Sequence, residues 1–138
     1  MNNQDKKEFG FTCGVFDLLH AGHLLMLKEC SKQCDYLVVG LQENARSGKE
    51  QPIETYEERH IRLESCKYVD KIIPYNTEGD LYNLLVELHP DIRFLGADHK
   101  GLPFTGDDLD IKIIYNSRDH DYSSSNLRER ICQTITEK

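Results

Sequence analysis

Three observations predict a three-layer α/β domain built on a five-stranded parallel sheet. Short apolar segments alternate five times with helical periodicities along a chain of 138 residues. One apolar segment, Tyr36-Leu37-Val38-Val39-Gly40-Leu41, is continuous rather than alternating, as a strand covered on both faces requires. No repeat, low-complexity tract or long linker divides the sequence, so residues 1–138 are read as a single domain.

Phe9 to Gly14 is the first predicted strand. Ala21 to Cys34 follows as a helix, with Leu24, Leu27, Cys30 and Cys34 recurring at three- and four-residue steps. After the Tyr36–Leu41 strand, the polar stretch Gln42 to Gln51 reads as a loop long enough to suggest function. Thr55 and Glu58 have the capping-box spacing that opens a helix through Cys66. Val69 to Ile73 is the third strand, closed by Pro74. Leu81 to Leu88 is a helix ended by His89-Pro90, Ile92 to Leu95 the fourth strand, and Gly96 to Asp110 a second functional-looking loop. Ile111 to Tyr115 completes the sheet, and Ser123 to Ser125 opens a last helix with Leu127, Ile131 and Ile135 on one face. The arrangement is Rossmann-like. In such sheets ligands sit at the carboxyl ends of the strands, near the switch in strand order.

Lys plus Arg number 17 and Asp plus Glu 24, a formal charge of −7. That balance argues against a nucleic-acid binder working by broad phosphate neutralisation, and leaves room for a local basic pocket. No apolar run approaches a membrane span, and the polar start Met1–Glu8 is not a signal peptide. Five cysteines, an odd count in apolar contexts, suggest reduced thiols in a cytoplasm. Cys30 and Cys34 are one helical turn apart, but no second Cys/His pair at ligand spacing accompanies them, so a buried helix face is expected rather than a metal site.

The segment Gly14-Val15-Phe16-Asp17-Leu18-Leu19-His20-Ala21-Gly22-His23 lies between the first strand and the first helix. His20 and His23 are three apart across the helix start, so both rings can face one side. Gly22 lets a ligand approach the backbone, and the free amides and helix dipole favour an anion. The combination suits phosphate. The other reading of the same spacing is a pair of helix-capping or solvent histidines.

This segment resembles the signature of the cytidylyltransferase-like nucleotidyltransferases, with bacterial glycerol-3-phosphate enzymes as the nearest branch. The similarity extends from about Phe9 to Arg130. It includes Tyr56-Glu57-Glu58-Arg59, Tyr68-Val69-Asp70-Lys71-Ile72-Ile73-Pro74, Leu95-Gly96-Ala97-Asp98, and Arg118 to Ser125, which is similar to the family's Arg-x-x-x-Ile-Ser-Thr-Thr element. The resemblance implies transfer of CMP from CTP to a phosphorylated alcohol, with release of pyrophosphate. It implies Mg²⁺ held mainly by the triphosphate, with no protein metal ligands, and a homodimer. His20, His23 and Arg118 become the expected catalytic residues. Gly14, Val15, Phe16, Asp17, Gly22, Lys49, Arg59, Gly96, Asp98, Ser123, Ser124 and Ser125 are expected around the nucleotide. Arg59 fits either a phosphate contact or a surface pair with Glu, Lys49 and Arg46 either a ligand or solvent, and Asp98 either a base amino group or a loop cap. Asp119 and Asp121 are unexpected so close to a triphosphate.

One feature departs from the glycerol-3-phosphate branch. Those enzymes carry a lysine for the acceptor phosphate near the helix after the third strand. Here Tyr75 to His99 contains no Lys, and its one Arg is Arg93, inside a strand. The acceptor stays open among glycerol, polyol, sugar and aminoalcohol phosphates. Enzymes that adenylylate heptose phosphates share the His-x-Gly-His element, so ATP is the alternative donor, and a non-catalytic nucleotide-binding module the alternative role.

Overall fold

The structure is a computed structural model that describes residues 7–44, 51–117 and 120–136. Its element order is β1 (Phe9–Gly14), α1 (Ala21–Ser31), β2 (Tyr36–Gln42), α2 (Tyr56–Glu64), β3 (Lys71–Tyr75), α3 (Glu78–Leu88), β4 (Ile92–Gly96), β5 (Lys112–Asn116) and α4 (Ser124–Thr136). The five strands form one sheet in the order β3-β2-β1-β4-β5, and every pairing is parallel. The chain order reverses between β1 and β4, so the switch point lies where the His20–His23 segment and the loop after β4 leave the sheet.

Alternation along β2 explains the layers. Leu37, Val39 and Leu41 join Leu27 and Cys30 of α1, Leu63 of α2 and Phe94 of β4 in one core. Val38 points the other way and joins Phe11, Tyr75 and Leu81 and Leu85 of α3. The continuous apolar run is thus a strand covered by helices on both faces.

Local chemistry sets the helix starts. Thr55 and Glu58 form the expected capping box on α2. Thr77 and Asp80 form another on α3, which begins a turn earlier than the apolar periodicity suggests. Helix α1 stops at Ser31, short of Cys34, because the amides of Asp35 and Tyr36 bond to the Glu8 carbonyl and turn the chain into β2. Pro74 lies inside β3, opposite Leu41, instead of closing it. An edge strand pairs on one side only, so a residue lacking its N–H is tolerated there. On α4 the expected apolar face is only partly covered: Leu127 is half-buried, whereas Ile131 and Ile135 are 46% and 68% exposed.

Candidate functional site

Between β1 and α1 the backbone is bent tightly. Phe16 (φ 53°) and Leu18 (φ 63°) both occupy the left-handed region that favours glycine. Several interactions hold this turn. The Phe16 ring is buried in the core. The buried Asp17 carboxylate accepts from the amides of Ile53 (2.9 Å) and Glu54 (3.0 Å) and from Arg128 Nη2 (2.8 Å). Burial alone would raise the Asp17 pKa, but these donors outweigh it and hold the carboxyl below its ordinary range. Glu54 reciprocates, accepting from the Leu18 amide at 2.8 Å and from Arg62 Nε at 2.5 Å.

The turn delivers two imidazoles to the start of α1. His20 Nδ1 accepts from the Gly22 amide at 3.1 Å, and His23 Nδ1 accepts from the His20 amide at 3.2 Å. The pair is therefore a capping box made of histidines. With both Nδ1 atoms accepting, each neutral ring carries its proton at Nε2. The rings stack at 3.9 Å between centroids and line a cavity of about 270 Å³. The helix-capping reading of the spacing holds: the rings cap α1 through Nδ1, and Nε2 is left to carry the proton.

Burial, and then the neighbouring His20, bring the His23 pKa down to about 3. His23 is a neutral donor at any ordinary pH. Between pH 6.5 and about 3 the unfolded chain takes up a proton there that the native chain refuses, so stability falls as pH drops through that window. Urea midpoints at pH 7 and pH 5 check this: the wild type should lose more between them than His23→Gln, which lacks the titrating group.

Gly22 sits where nothing larger fits. A Cβ there would lie 2.8 Å from His120 Cε1 and 2.9 Å from His20 Cε1. Gly22→Ala should displace both rings and, for the nucleotidyl transfer expected from the sequence, lower turnover by on the order of 10-fold or more, measured as pyrophosphate release in a folded variant.

The same contact reveals His120, a third imidazole on this cavity, whose Nδ1 accepts from the Tyr122 amide at 3.1 Å. Spacing gave no sign of it, since it enters from the segment after β5, 97 residues beyond His23. Gly96 and Asp98 line the cavity from the loop after β4. A Cβ on Gly96 would meet Asp98 Oδ1 at 2.7 Å. Ser123 and Ser124 line it from the start of α4, but part of their polar capacity is engaged. Ser123 Oγ accepts from the Asn126 amide, and Ser124 Oγ donates to the Asp17 carbonyl. Ser125 is exposed and is not in the cavity wall.

Three expected nucleotide contacts have other duties. Asp17 is 5% exposed and occupied as described. Phe16 is 4% exposed, its side chain in the core. Arg59 is not in a surface pair, being 1% exposed. Its guanidinium donates to the carbonyls of Glu54 (3.2 Å), Val15 (3.0 Å), Gln42 (2.6 Å) and Glu43 (2.8 Å). It ties the ends of β1 and β2 to the start of α2, and Val15 contributes its carbonyl to that tie. Gly14 lines the adjoining, larger cavity. Arg46, Lys49, Arg118 and Asp119 lie outside the described residues.

The cytidylyltransferase-like family model matches residues 11–130. The chain therefore belongs to that family, and the imidazole cavity falls inside the matched region. Among its relatives is the bifunctional protein HldE of Campylobacter concisus strain 13826, 34% identical over 79% of this chain and 24% of that protein. HldE of Campylobacter jejuni (serotype O:6, strain 81116) is 30% identical over 93% of this chain and 28% of that protein. The chain spans about a quarter of the length of these relatives. A lipopolysaccharide core biosynthesis protein from Thermoplasma volcanium has a similar structure, with TM-score 0.71 and 33% identity, covering 84% of this chain and all of that one. Pantoate-beta-alanine ligase of Francisella tularensis shares the fold alone, with TM-score 0.65 and 18% identity over 100% of this chain and 72% of that one.

Proposed function

We propose that the chain transfers a nucleoside monophosphate from a nucleoside triphosphate to a phosphorylated sugar or polyol, releasing pyrophosphate. The supporting observation is the pair of Nε2 donors presented by His20 and His23 at the amino end of α1, on the switch point of the sheet. An acceptor phosphate oxygen attacks the α-phosphorus in line. A new P–O bond forms as the bond to the β-phosphate bridging oxygen breaks, and pyrophosphate leaves with that electron pair. Charge grows on the equatorial oxygens, where fixed donors and the helix dipole stabilise it without reorganising.

Since His23 is neutral, it supplies a dipole rather than a charge, and balancing cations must come from elsewhere. Among the described residues no group of three His, Cys, Asp or Glu side chains could hold a metal. A divalent cation such as Mg²⁺, arriving on the triphosphate, would neutralise its charge. Arg118 and Lys49 are proposed as further phosphate contacts. CTP is the donor favoured by the Arg118–Ser125 element. Adenylylation with ATP is the second reading, supported by the His-x-Gly-His element that enzymes adenylylating heptose phosphates share. The lipopolysaccharide core biosynthesis protein supports a sugar-derived acceptor.

The test is to incubate the protein with Mg²⁺, each nucleoside triphosphate in turn and a panel of phosphorylated sugars and alcohols, measuring pyrophosphate. Release with CTP supports the first reading and release with ATP alone the second. Silence with every pair rejects nucleotidyl transfer and leaves a binding module, for which calorimetry with CTP and ATP is the readout.

A further inference from the structure

The imidazole cavity adjoins a larger one of about 810 Å³, and the two share Met26, Gly96 and Asn116 in their walls. A ligand spanning both would keep its reacting end at the histidines. Arg93 of β4 lines the larger cavity and is 4% exposed. Its Nη1 donates to the Thr105 carbonyl and its guanidinium stacks over Phe104 at 5.2 Å, while its Nε has no hydrogen-bond partner. Among the described residues no carboxylate forms an ion pair with it. A permanent cation buried without a counter-ion is unfavourable unless something else serves it. Arg93 is also the sole Lys or Arg between Tyr75 and His99.

Glu78, at the start of α3, and Asp107 line the same cavity. Glu78 Oε2 accepts from Thr105 Oγ1 at 2.7 Å, so Thr105 is held by Arg93 on its carbonyl and by Glu78 on its hydroxyl. One space therefore offers both a strong donor and strong acceptors. Hydroxyl groups satisfy both kinds of partner. A quaternary ammonium would meet the guanidinium's like charge, and a second phosphate would meet the two carboxylates. Glycerol would fill only a fraction of this volume.

We propose that Arg93 is a specificity-determining residue for the acceptor, and that this cavity takes the polyhydroxylated body of a sugar phosphate. Sugar hydroxyl oxygens accept from Arg93, and sugar hydroxyls donate to Glu78 and Asp107. The proposal rests on the nucleotidyl-transfer reading above.

Steady-state kinetics on the full chain test it, with hexose and heptose 1-phosphates, glycerol 3-phosphate and phosphocholine as acceptors. The wild type should prefer a sugar phosphate. Arg93→Gln should raise the sugar phosphate KM by about 10-fold or more, leave the nucleotide KM within about twofold, and collapse the preference over glycerol 3-phosphate. Arg93→Lys should recover part of that preference, and Glu78→Gln should weaken it. Thermal melting monitors folding of each variant. Equal losses on all acceptors and on the nucleotide, following the melting temperature, would mean a purely structural Arg93 and overturn the proposal. So would a wild type that favours glycerol 3-phosphate or phosphocholine, a result that decides the matter even if the Arg93 variants fail to fold. Absence of pyrophosphate release from the wild type with any pair would instead reject the underlying reaction.

Discussion

Replacing His23 by alanine should lower turnover about 100-fold or more, and His20→Ala should do the same, as expected for lost oxyanion donors. The two ring nitrogens do different work, which makes the prediction separable from folding. Nδ1 of His20 caps α1, and losing that acceptor costs about 1 kcal/mol. Asparagine places a polar atom near Nδ1 and nothing near Nε2; glutamine does the reverse. His20→Asn should therefore keep most of the stability and lose the activity. His20→Gln should lose some stability and keep more of the turnover. Melting curves and single-turnover rates on the same preparations read the two effects independently. Equal activity in the Asn and Gln variants would mean that the Nε2 donors do not face the reacting phosphate.

The largest expected loss of stability belongs to Arg59→Met. The guanidinium serves four carbonyls from three segments of chain, and the residue is 1% exposed. Methionine fills much of the space but leaves those acceptors without their donor. Stranding buried polar partners costs about 3–5 kcal/mol. That is a large fraction of the roughly 5–15 kcal/mol available to a domain. The melting temperature should fall by about 10 °C or more. Arg59→Lys should recover little, because one ammonium cannot reproduce a planar fork. Burial already disfavours the charged form of Arg59, against the opposing pull of Asp17, Tyr56 and Glu54, so its place in the fold depends on the carbonyl cradle. A drop of less than about 3 °C would show that water replaces the lost donors.

The strands and the histidine motif were readable because they depend on neighbours close in sequence. The β1 bounds and the capping box at Thr55 follow from local spacing, and both appear in the structure. Residue type alone puts Pro74 at the end of the third strand, because its tolerance inside β3 depends on β3 being an edge strand, a fact of sheet order. The carbonyl tie made by Arg59 is illegible in sequence because its partners lie 5, 16, 17 and 44 residues away, and carbonyls carry no sequence signature. The places of His120 and Arg93 on the cavity walls are illegible in sequence for a similar reason. Each becomes significant only when the sheet sets β4 beside β1 and β5 beyond it. Asp17 belongs to the motif, and its partners at 53, 54 and 128, which hold the turn, lie too far along the chain for spacing to reveal them.

The ion pair from Arg128 to Asp17 joins the last helix to the first turn across 111 positions of chain. A ribosome making this protein exposes the histidine turn early, yet that turn gains its final clamp only after the distant arginine has emerged. Released chains that end before residue 128 should carry an ordered sheet and a slack turn. Catalytic competence would then arrive late and abruptly, well after most of the architecture is in place.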